Sequence, residues 1–573
     1  MTAKERIRTR VIFLGMIVSA LVLTATLYST QVVAGKKYAD RAEVQYTKPA
    51  ATFFDRGTIY FSLKDGTSIA GATIEQGNLI YMNGKQVEEP DQALAALSEF
   101  ITIDEKIRSR VMANADAGYI ELAHRISDTE AQSIVSLKLG GIRKAKESWR
   151  SYPGGVLASQ TLGIIGEDSS TSTIRGKYGL ERSYEEVLGR SGSGSNVSVF
   201  AELFAGVEDI FSGEKGEGDI VTTIEPTVAS YLEKILSDTS TTWHPDEIGG
   251  IILDPKTGEI IAMSSLPTFN GNDTSGVSDT GLFSNPLVEH VYEMGSIVKP
   301  LTVAVGLDSV AISPSWTYED TGTMILNSKT IGNWDRKARG RTGLQDLLSQ
   351  SLNMGAATVG LKTGKENMSK YFDSLGLGEK TGIDMPNEAT GLVKNLKAGQ
   401  DIDIATASYG QGIAISPVAM ARSLAVLANG GKIVIPHLVR EIIYLDGTKR
   451  NLSQELAAKS EQVLRPETVN EVTSLLVNVV DKALKEGKIK NPRYTVAAKT
   501  GTAQIPDHVN GGYYTDRYLH SFFGYFPAYD PKFLVFLYQI HPKGAQYASE
   551  TLTDPFDNLA KFLINYYDVP PDR

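Results

Sequence analysis

Serine and lysine stand three residues apart at Ser296 and Lys299, in a stretch that ends at Pro300. Because proline is tolerated only in the first turn of a helix, a helix should begin near Ser296. The apolar run that follows predicts that this helix is buried, and one helical turn brings Lys299 to the face of Ser296. A desolvated lysine can lose its proton and act as a base toward a serine hydroxyl. The pattern therefore predicts a serine nucleophile for acyl transfer.

The alternative is that Lys299 is an ordinary surface lysine and that Ser296 stands near it by chance, without a catalytic role. The chain holds one other Ser-x-x-Lys, from Ser212 to Lys215, but its polar, glycine-rich surroundings disfavour a helix. Amides at the start of the helix at Ser296 would also favour a developing oxyanion. Ser296 is therefore the preferred nucleophile.

Lys-Thr-Gly is a weak signal by itself, because the chain holds four copies. They begin at Lys256, Lys362, Lys380 and Lys499. The first three fall in a hairpin turn, at a helix end and in a loop, whereas the fourth follows a buried apolar strand, where a charge needs a reason. A lysine and a threonine on a strand beside Gly501 suit the binding of an extended peptide that ends in a carboxylate.

Ser351 and Asn353 form the one Ser-x-Asn of the chain, at the predicted end of a helix. Alone, they would be an ordinary helix C-terminus.

Composition excludes several classes of function. The 573 residues predict two or more domains, and a net charge of −10 argues against nucleic acid as a partner. The chain has no cysteine, which excludes disulfides and thiolate nucleophiles. Its seven histidines form no His-x-x-x-His pair, so no metal site is expected.

Residues 11–28 carry no charge, and at about 1.5 Å per residue they would span roughly 27 Å, enough for the bilayer core. Lys4, Arg6, Arg8 and Arg10 precede this run. We therefore expect a cytoplasmic tail (1–10), a single transmembrane helix (11–34) and an extracytoplasmic remainder at the cell membrane. The alternative is a cleaved signal peptide, but the apolar run exceeds a usual signal core.

A pedestal domain is predicted over residues 35–215, ending in a charged, glycine-rich connector at 212–219. A strand is predicted at 56–60, and three helices, each opened by an aspartate, are predicted at 91–103, 104–117 and 128–139.

The second domain, residues 216–573, supplies strands from both its ends. They are predicted at 249–254, 259–263, 494–504, 521–526 and 533–540. Helices are predicted between and after them, at 343–352, 417–429, 466–486 and 554–566. The predicted fold class is α/β (α+β), with an antiparallel five-stranded sheet that helices must cover on both faces.

In chain order, Ser296-x-x-Lys299, Ser351-x-Asn353 and Lys499-Thr500-Gly501 resemble the active-site set of penicillin-binding proteins and serine β-lactamases. Nearly the whole chain is similar to class B penicillin-binding proteins, the monofunctional peptidoglycan transpeptidases of division or elongation. The other motifs of this resemblance are Gln45-Tyr46, Arg56-Gly57-x-Ile59, Arg150-x-Tyr152-Pro153, Gly179-Leu180-Glu181, Thr223-Ile224-Glu225-Pro226, Asp254-Pro255-x-Thr257-Gly258, Tyr409-Gly410-Gln411-Gly412 and Thr502-Ala503.

The chain departs from the family pattern twice. Met294 stands where the family usually has proline, and residues 61–66 replace the usual Asp-Arg-x-Gly. The second departure leaves the local pedestal structure open.

The resemblance implies that Ser296 attacks the penultimate D-alanine carbonyl of a D-Ala-D-Ala stem peptide with Lys299 as base. The backbone amides of Ser296 and Thr502 would form the oxyanion hole. Ser351 would relay the proton to the leaving amine, and Asn353 would hold the donor's backbone.

The resemblance also implies the partners. The terminal carboxylate of the donor would bind Lys499, Thr500, Gly501 and Thr502, and an amine of a neighbouring stem peptide would take the acyl group. β-Lactams would acylate the same serine, and no cofactor is needed. Division proteins and a polytopic glycan polymerase are expected partners, because the pedestal shows no paired carboxylates of the kind a sugar transferase needs.

The predicted function is therefore peptidoglycan transpeptidation, at division. One alternative is a D,D-carboxypeptidase or a β-lactam-sensing, β-lactamase-like protein, which rapid turnover of penicillin would indicate. The other is a non-catalytic scaffold of a division complex.

Overall fold

The computed structural model describes residues 3–29, 33, 55–114, 117–168, 173–190 and 216–573. The Gln45-Tyr46 motif, the second Ser-x-x-Lys and the first part of the predicted connector lie outside these residues. Across the described residues, no helix is both long enough and apolar enough to cross a membrane.

The strands are numbered in chain order. They are β1 Ile59–Ser62, β2 Ser68–Met82, β3 Ile120–Ile126, β4 Ile142–Ser151, β5 Ile165–Glu167, β6 Ile174–Gly176, β7 Gly218–Thr222, β8 Glu247–Leu253, β9 Ile260–Leu266, β10 Thr317–Asp320, β11 Thr323–Leu326, β12 Lys329–Gly332, β13 Gly340–Gly343, β14 Lys432–Ile433, β15 Val439–Tyr444, β16 Lys449–Asn451, β17 Glu461–Gln462, β18 Ala497–Pro506, β19 Tyr513–Phe526 and β20 Phe533–Ile540.

The α-helices are named by their bounds. They are Ala3–Tyr28, Pro90–Leu97, Glu105–Ala113, Asp128–Ser136, Ser159–Leu162, Gly179–Ser183, Glu185–Leu188, Pro226–Trp243, Pro286–Glu289, Lys299–Asp308, Leu344–Ser349, Asn353–Thr363, Lys365–Ser374, Lys394–Ala398, Asp401–Ala407, Pro417–Ala425, Leu452–Ala457, Pro466–Asn478, Ala548–Thr551 and Thr553–Tyr566.

The described residues form two compact units, a smaller one that includes residues 74–114 and 117–149 and a larger one of residues 56–73, 150–168, 173–190 and 216–573. The larger unit begins at residue 56 because β1 pairs in parallel with β7, with Ile59 opposite Ile220. This division into units does not test the predicted boundary at residue 216, so the predicted domain ranges stay predictions.

The predicted five-stranded antiparallel sheet is present in the larger unit, in the order β18-β19-β20-β8-β9. Its strands alternate faces, so Phe522 stacks on Phe556 of the helix Thr553–Tyr566, whereas the hydroxyl of Tyr525 lies 2.8 Å from that of Thr473 in the helix Pro466–Asn478. Helices thus cover both faces, which confirms the predicted fold class.

The segment of Ser296 forms a 3₁₀ turn, Gly295–Val298, that continues into the buried helix Lys299–Asp308. Pro300 lies in the first turn of this helix, as predicted. The α-helix itself begins at Lys299 rather than at Ser296. Tight 3₁₀ turns are frequent at helix N-termini, and this one presents Ser296 at the surface of the fold.

The departure at residues 61–66 forms a β-hairpin. Phe61 is buried in β1, the amide of Leu63 donates to the carbonyl of Thr67 at 2.8 Å, and β2 follows antiparallel. The longer sequence therefore supplies a turn between paired strands.

The smaller unit packs three helices against the end of β2 and against β3, around a core that includes Ile80, Leu94 and Ile134. The three helices are shorter than predicted. Asp104 caps the second through the amide of Ile107 at 2.7 Å. The other two aspartates do not cap their helices, which begin after Glu89 and Ser127. The hydroxyl of Ser127 accepts a hydrogen bond from a backbone amide in the first turn of the third helix, and so caps it.

Candidate active site

The turn before Ser296 lies against β18, backbone to backbone. Gly295 has a φ of 65°, and a Cβ there would lie 2.7 Å from the carbonyl oxygen of Thr502. A Cβ at Gly501 would lie 2.7 Å from the carbonyl oxygen of Met294, which Ser521 Oγ also binds at 2.7 Å. Two glycines therefore allow the segments of Ser296 and Thr502, whose amides are the predicted oxyanion hole, to touch.

Lys299 is fully buried, with 0% of its surface exposed. Its Nζ lies 2.6 Å from the backbone oxygen of Ser351, 3.1 Å from Ser351 Oγ and 2.8 Å from Asn353 Oδ1. Burial, with a smaller contribution from the charge of Lys499, holds the pKa of Lys299 well below its usual value. A lysine that has lost its proton has a lone pair that can accept the proton of a serine.

Ser296 lines the cavity beside Lys299 and is partly exposed. Among the hydrogen bonds of the described residues, none joins Ser296 Oγ to Lys299 Nζ. Catalytic contacts of this kind often tighten only when substrate is bound.

The sequence predicts Ser351 at the end of a helix. In the structure it lies between two helices instead. The helix Leu344–Ser349 ends before it, the next helix begins at Asn353, and Ser351 has a φ of 55°. Its Oγ is 3.0 Å from Nζ of Lys499 as well as 3.1 Å from Nζ of Lys299. A single hydroxyl therefore connects the two lysines.

Lys499 lies on β18, as predicted, and is 2% exposed. Its Nζ also donates to the carbonyl of Thr500 at 2.9 Å. Burial lowers the pKa of Lys499 to about 7. The lysine can therefore carry its charge at neutral pH, and a bound carboxylate would favour the charged form.

The hydroxyl of Thr502 accepts from the backbone amide of Ala548 at 3.0 Å, so its hydrogen can be donated into the cavity. His520, opposite Thr502 on β19, holds the same loop through contacts of Nδ1 with Thr551 Oγ1 and of Nε2 with the carbonyl of Gln546. Burial lowers the pKa of His520 to about 4, so this contact uses the neutral ring.

The cavity has a volume of about 700 Å³. Of the predicted site residues, it is lined by Ser296, Ser351, Asn353, Thr500 and Thr502. Lys299 and Lys499 lie buried beside it, and Gly501 lies at the contact of β18 with the turn. The fold thus brings every predicted site residue to one place, across about 200 residues of sequence.

Sequence reasoning missed other parts of the wall. They include Trp334, Arg336, Tyr513, Gln546, Tyr547 and Ser549. Apart from Ser549, which lies in the helix Ala548–Thr551, they come from loops and strand ends with no local pattern, whereas Tyr409 and Gln411 lie in a motif of the resemblance. Within the described residues, no group of three acidic or histidine side chains could hold a metal ion.

Comparison with known proteins identifies two family models in the chain. The penicillin-binding protein transpeptidase domain matches residues 248–560, and the penicillin-binding protein dimerisation domain matches residues 55–202.

Relatives match over nearly the whole chain. Stage V sporulation protein D of Bacillus subtilis is 28% identical, covering 99% of this chain and 87% of its own. A probable peptidoglycan D,D-transpeptidase, PenA of Neisseria meningitidis, is 24% identical over 98% of this chain and 92% of its own.

Solved structures share the fold. Penicillin-binding protein 2X of Streptococcus thermophilus aligns with a TM-score of 0.70 at 20% identity, over 90% of this chain and 80% of its own. Penicillin-binding protein 3 of Mycobacterium tuberculosis, in complex with aztreonam, aligns with a TM-score of 0.67 at 21% identity, over 91% and 98%. With both domains matched and the site assembled, the chain belongs to the class B penicillin-binding proteins.

Proposed function

We propose that this chain is a peptidoglycan D,D-transpeptidase that cross-links stem peptides through an acyl-enzyme on Ser296. The observation that carries the proposal is the buried Lys299, whose lowered pKa and place one turn after Ser296 make it a base for that serine. The name of the Neisseria relative, a probable peptidoglycan D,D-transpeptidase, supports the same reaction.

Acylation begins when Ser296 Oγ attacks the carbonyl of the penultimate D-alanine. The neutral amine of Lys299 takes the hydroxyl proton, and the amides of Ser296 and Thr502 stabilise the oxyanion. The proton then passes through Ser351 Oγ, 3.1 Å from Lys299 Nζ, to the nitrogen of the leaving D-alanine. The carbon–nitrogen bond breaks, and an ester to Ser296 remains.

The donor peptide fits an extended pose along β18. This strand is at the edge of the five-stranded sheet, so one side of its backbone has no strand partner within the described residues. Edge strands bind extended peptides by adding them to the sheet. The terminal carboxylate then lies near Lys499, Thr500 and Thr502.

The charges of the cavity wall also favour an anionic peptide. Of the described residues that line it, Arg336 alone is charged and none is acidic. A lining whose charge is positive attracts carboxylates.

The acyl-enzyme is resolved by an amine of a neighbouring stem peptide, which attacks the ester carbonyl and forms the cross-link. Since no aspartate or glutamate lines the described cavity, Lys299 is the base that can serve this step. Among the described residues that line the cavity, no carboxylate is placed to activate water. A β-lactam ester, whose leaving amine stays tethered, should therefore persist, which distinguishes this enzyme from a β-lactamase-like alternative.

Mass spectrometry of the intact protein after benzylpenicillin treatment tests the proposal. One adduct per chain is expected, mapped to Ser296 and stable over hours. Ser296→Ala should abolish it, while Ser212→Ala, which removes the serine of the other Ser-x-x-Lys, should label like the wild type. A labelled Ser296→Ala protein, or rapid loss of the adduct, would overturn the assignment.

We also propose that the protein is a single-pass protein of the cell membrane with its amino terminus inside, acting at division with a polytopic glycan polymerase. The uncharged run at residues 11–28, preceded by basic residues, supports the topology. Protease added to spheroplasts should leave only a small fragment. A tagged copy should localise to the septum, and sidewall localisation would argue against a division role.

A further inference from the structure

A buried aspartate, Asp320, lies close to the site at the end of β10, with 0% of its surface exposed. Its Oδ1 accepts from the amide of Gly322 at 2.9 Å, and its Oδ2 accepts from the hydroxyl of Tyr318 at 3.0 Å. Both oxygens also accept from Nδ2 of Asn333, at 2.9 and 3.0 Å. Buried carboxylates need such donors, and here they fix the orientation of Asn333.

The side-chain amide of Asn333 cannot turn over without losing these bonds. Because Nδ2 faces Asp320, Oδ1 points the other way and accepts from the backbone amide of Met354 at 3.1 Å. Met354 lies in the first turn of the helix that begins at Asn353, where amides have no partner within the helix. Asn333 therefore holds the start of this helix.

The residue before Asn333 makes a second contact with the same helix start. The carbonyl of Gly332 accepts from Nδ2 of Asn353 at 2.9 Å. With its nitrogen fixed there, Asn353 turns Oδ1 toward Lys299 Nζ, which lies 2.8 Å away. A reversed amide would present N–H to the amine.

We infer that Asp320 and Asn333 are positioning residues for acylation. They hold the segment 332–333 that orients the Asn353 amide toward Lys299, and within the described contacts neither bonds to Ser296 or Lys299. The inference rests on the proposed function, since it requires Lys299 to be the base for Ser296.

Single substitutions should loosen this segment. Asp320→Asn removes one acceptor oxygen and places its new side-chain amide against the amide of Asn333. Asn333→Asp places a second carboxylate against that of Asp320. Each should slow benzylpenicillin acylation of Ser296 by on the order of 10- to 100-fold, because small displacements of positioned groups cost that much. The adduct should still form on Ser296.

The pH profile separates positioning from a general loss of stability. Asn353 Oδ1 favours the charged form of Lys299, so an amide that turns away lowers the pKa of Lys299 further. In Asp320→Asn, which also removes a negative charge, the neutral base is then present at lower pH, and the acid limb, the fall in acylation rate at low pH, moves to lower pH. In Asn333→Asp the added carboxylate favours the charged lysine and acts in the opposite direction, so the limb is read in Asp320→Asn. A merely structural role would lower the melting temperature without moving this limb.

The double variant Asp320→Asn with Asn333→Asp provides the sharpest control. The new asparagine can donate to the new aspartate, whose other oxygen still accepts from Met354. Its acylation rate and acid limb should return close to those of the wild type. Such recovery in a double-mutant cycle reports direct interaction of the two side chains.

Asp384→Asn is the matched control. Asp384 also accepts from a tyrosine hydroxyl, that of Tyr184 at 2.9 Å, and from the backbone amides of Leu438 and Val439 at 2.8 and 2.9 Å. None of these residues lines the described cavity. This variant should lose stability and keep both the acylation rate and the acid limb.

The measurement is time-resolved acylation of the full chain by benzylpenicillin across pH, with melting curves for each variant. Single variants that acylate slowly, a limb that moves to lower pH in Asp320→Asn, and a double variant that recovers support the inference. Single variants with wild-type rates, a slowed Asp320→Asn with an unshifted limb, or a double variant that stays slow would overturn it. If the singles do not fold, Tyr318→Phe removes one bond to Asp320 and keeps the ring; an unchanged rate and limb there would overturn the inference. Failure of the proposed function would show instead as an unlabelled wild type.

Discussion

Lys299 and Ser351 are joined twice, because Lys299 Nζ lies 2.6 Å from the backbone oxygen of Ser351 and 3.1 Å from its Oγ. The backbone contact holds the amine, and the hydroxyl contact gives it a route for a proton toward the leaving nitrogen; Lys499 Nζ lies 3.0 Å from the same hydroxyl. These two roles of Ser351 can be separated by mutation.

Ser351→Ala should therefore slow acylation while leaving Lys299 in place. The backbone contact remains, but the hydroxyl that carries the proton is lost, and general acid–base steps contribute about 10²- to 10⁴-fold. We expect acylation by benzylpenicillin to fall by about 100-fold, with the adduct still on Ser296. Ser349→Ala, two residues earlier at the end of the preceding helix, is the control and should acylate normally. A wild-type rate in Ser351→Ala would remove Ser351 from the proton route.

Acylation by an anionic β-lactam should fall as the pH rises through about 7. The carboxylate is attracted by the charged form of Lys499, whose pKa is about 7 because the side chain is buried. The second-order rate constant reports groups of the free enzyme, so it should show this limb. In Lys499→Met the rate should be lower below pH 7 and the limb absent. A limb that persists in Lys499→Met must belong to another group.

Lys499 should also make folding stability depend on pH. Its folded pKa of about 7 lies below the ordinary lysine value of 10.5, so between these values the unfolded chain binds one more proton. Stability therefore rises with pH in this window, by up to about 1.4 kcal/mol per unit. Relative to Lys499→Met, the free energy of unfolding of the wild type should increase from pH 7 to 10. Parallel pH profiles in urea melts would contradict the depressed pKa.

Parts of the fold could be predicted because their signals are local. The apolar run at 533–540 is found as β20 with the same bounds, and Pro300 marks the first turn of its helix. β19 was predicted to begin at residue 521 but begins at Tyr513. Its first residues are polar, and pairing with β18, as between Gln504 and Tyr518, keeps them extended.

Other parts depend on contacts that no local pattern contains. β1 pairs with β7 across about 160 residues, and Lys499 reaches Ser351 across 148. The motif residues could be named because their types and order resemble a family. Asp320 and Asn333 could not, since only the fold brings their side chains together.

Gly501→Ala tests whether the close contact between β18 and the 3₁₀ turn Gly295–Val298, which carries Ser296, sets the geometry of the oxyanion hole. The added Cβ would overlap Ser521 Oγ and would lie 2.7 Å from the carbonyl oxygen of Met294 and 3.0 Å from the amide nitrogen of Ile297. Since backbone cannot yield as a flexible side chain does, β18 or the turn must move, which separates the amides of Thr502 and Ser296. Loss of one oxyanion donor costs about 10²- to 10³-fold, and acylation by benzylpenicillin should fall at least that far.

The control for this variant is Gly276→Ala, because a Cβ there meets no atom within 4 Å and the φ of Gly276 is not in the left-handed region. It should acylate at the wild-type rate and melt at the same temperature. The two variants are compared by second-order acylation rates and by circular dichroism melts, so that slow acylation is separated from unfolding. If Gly501→Ala folds and acylates normally, the close approach of β18 to the turn does not set the geometry of the oxyanion hole.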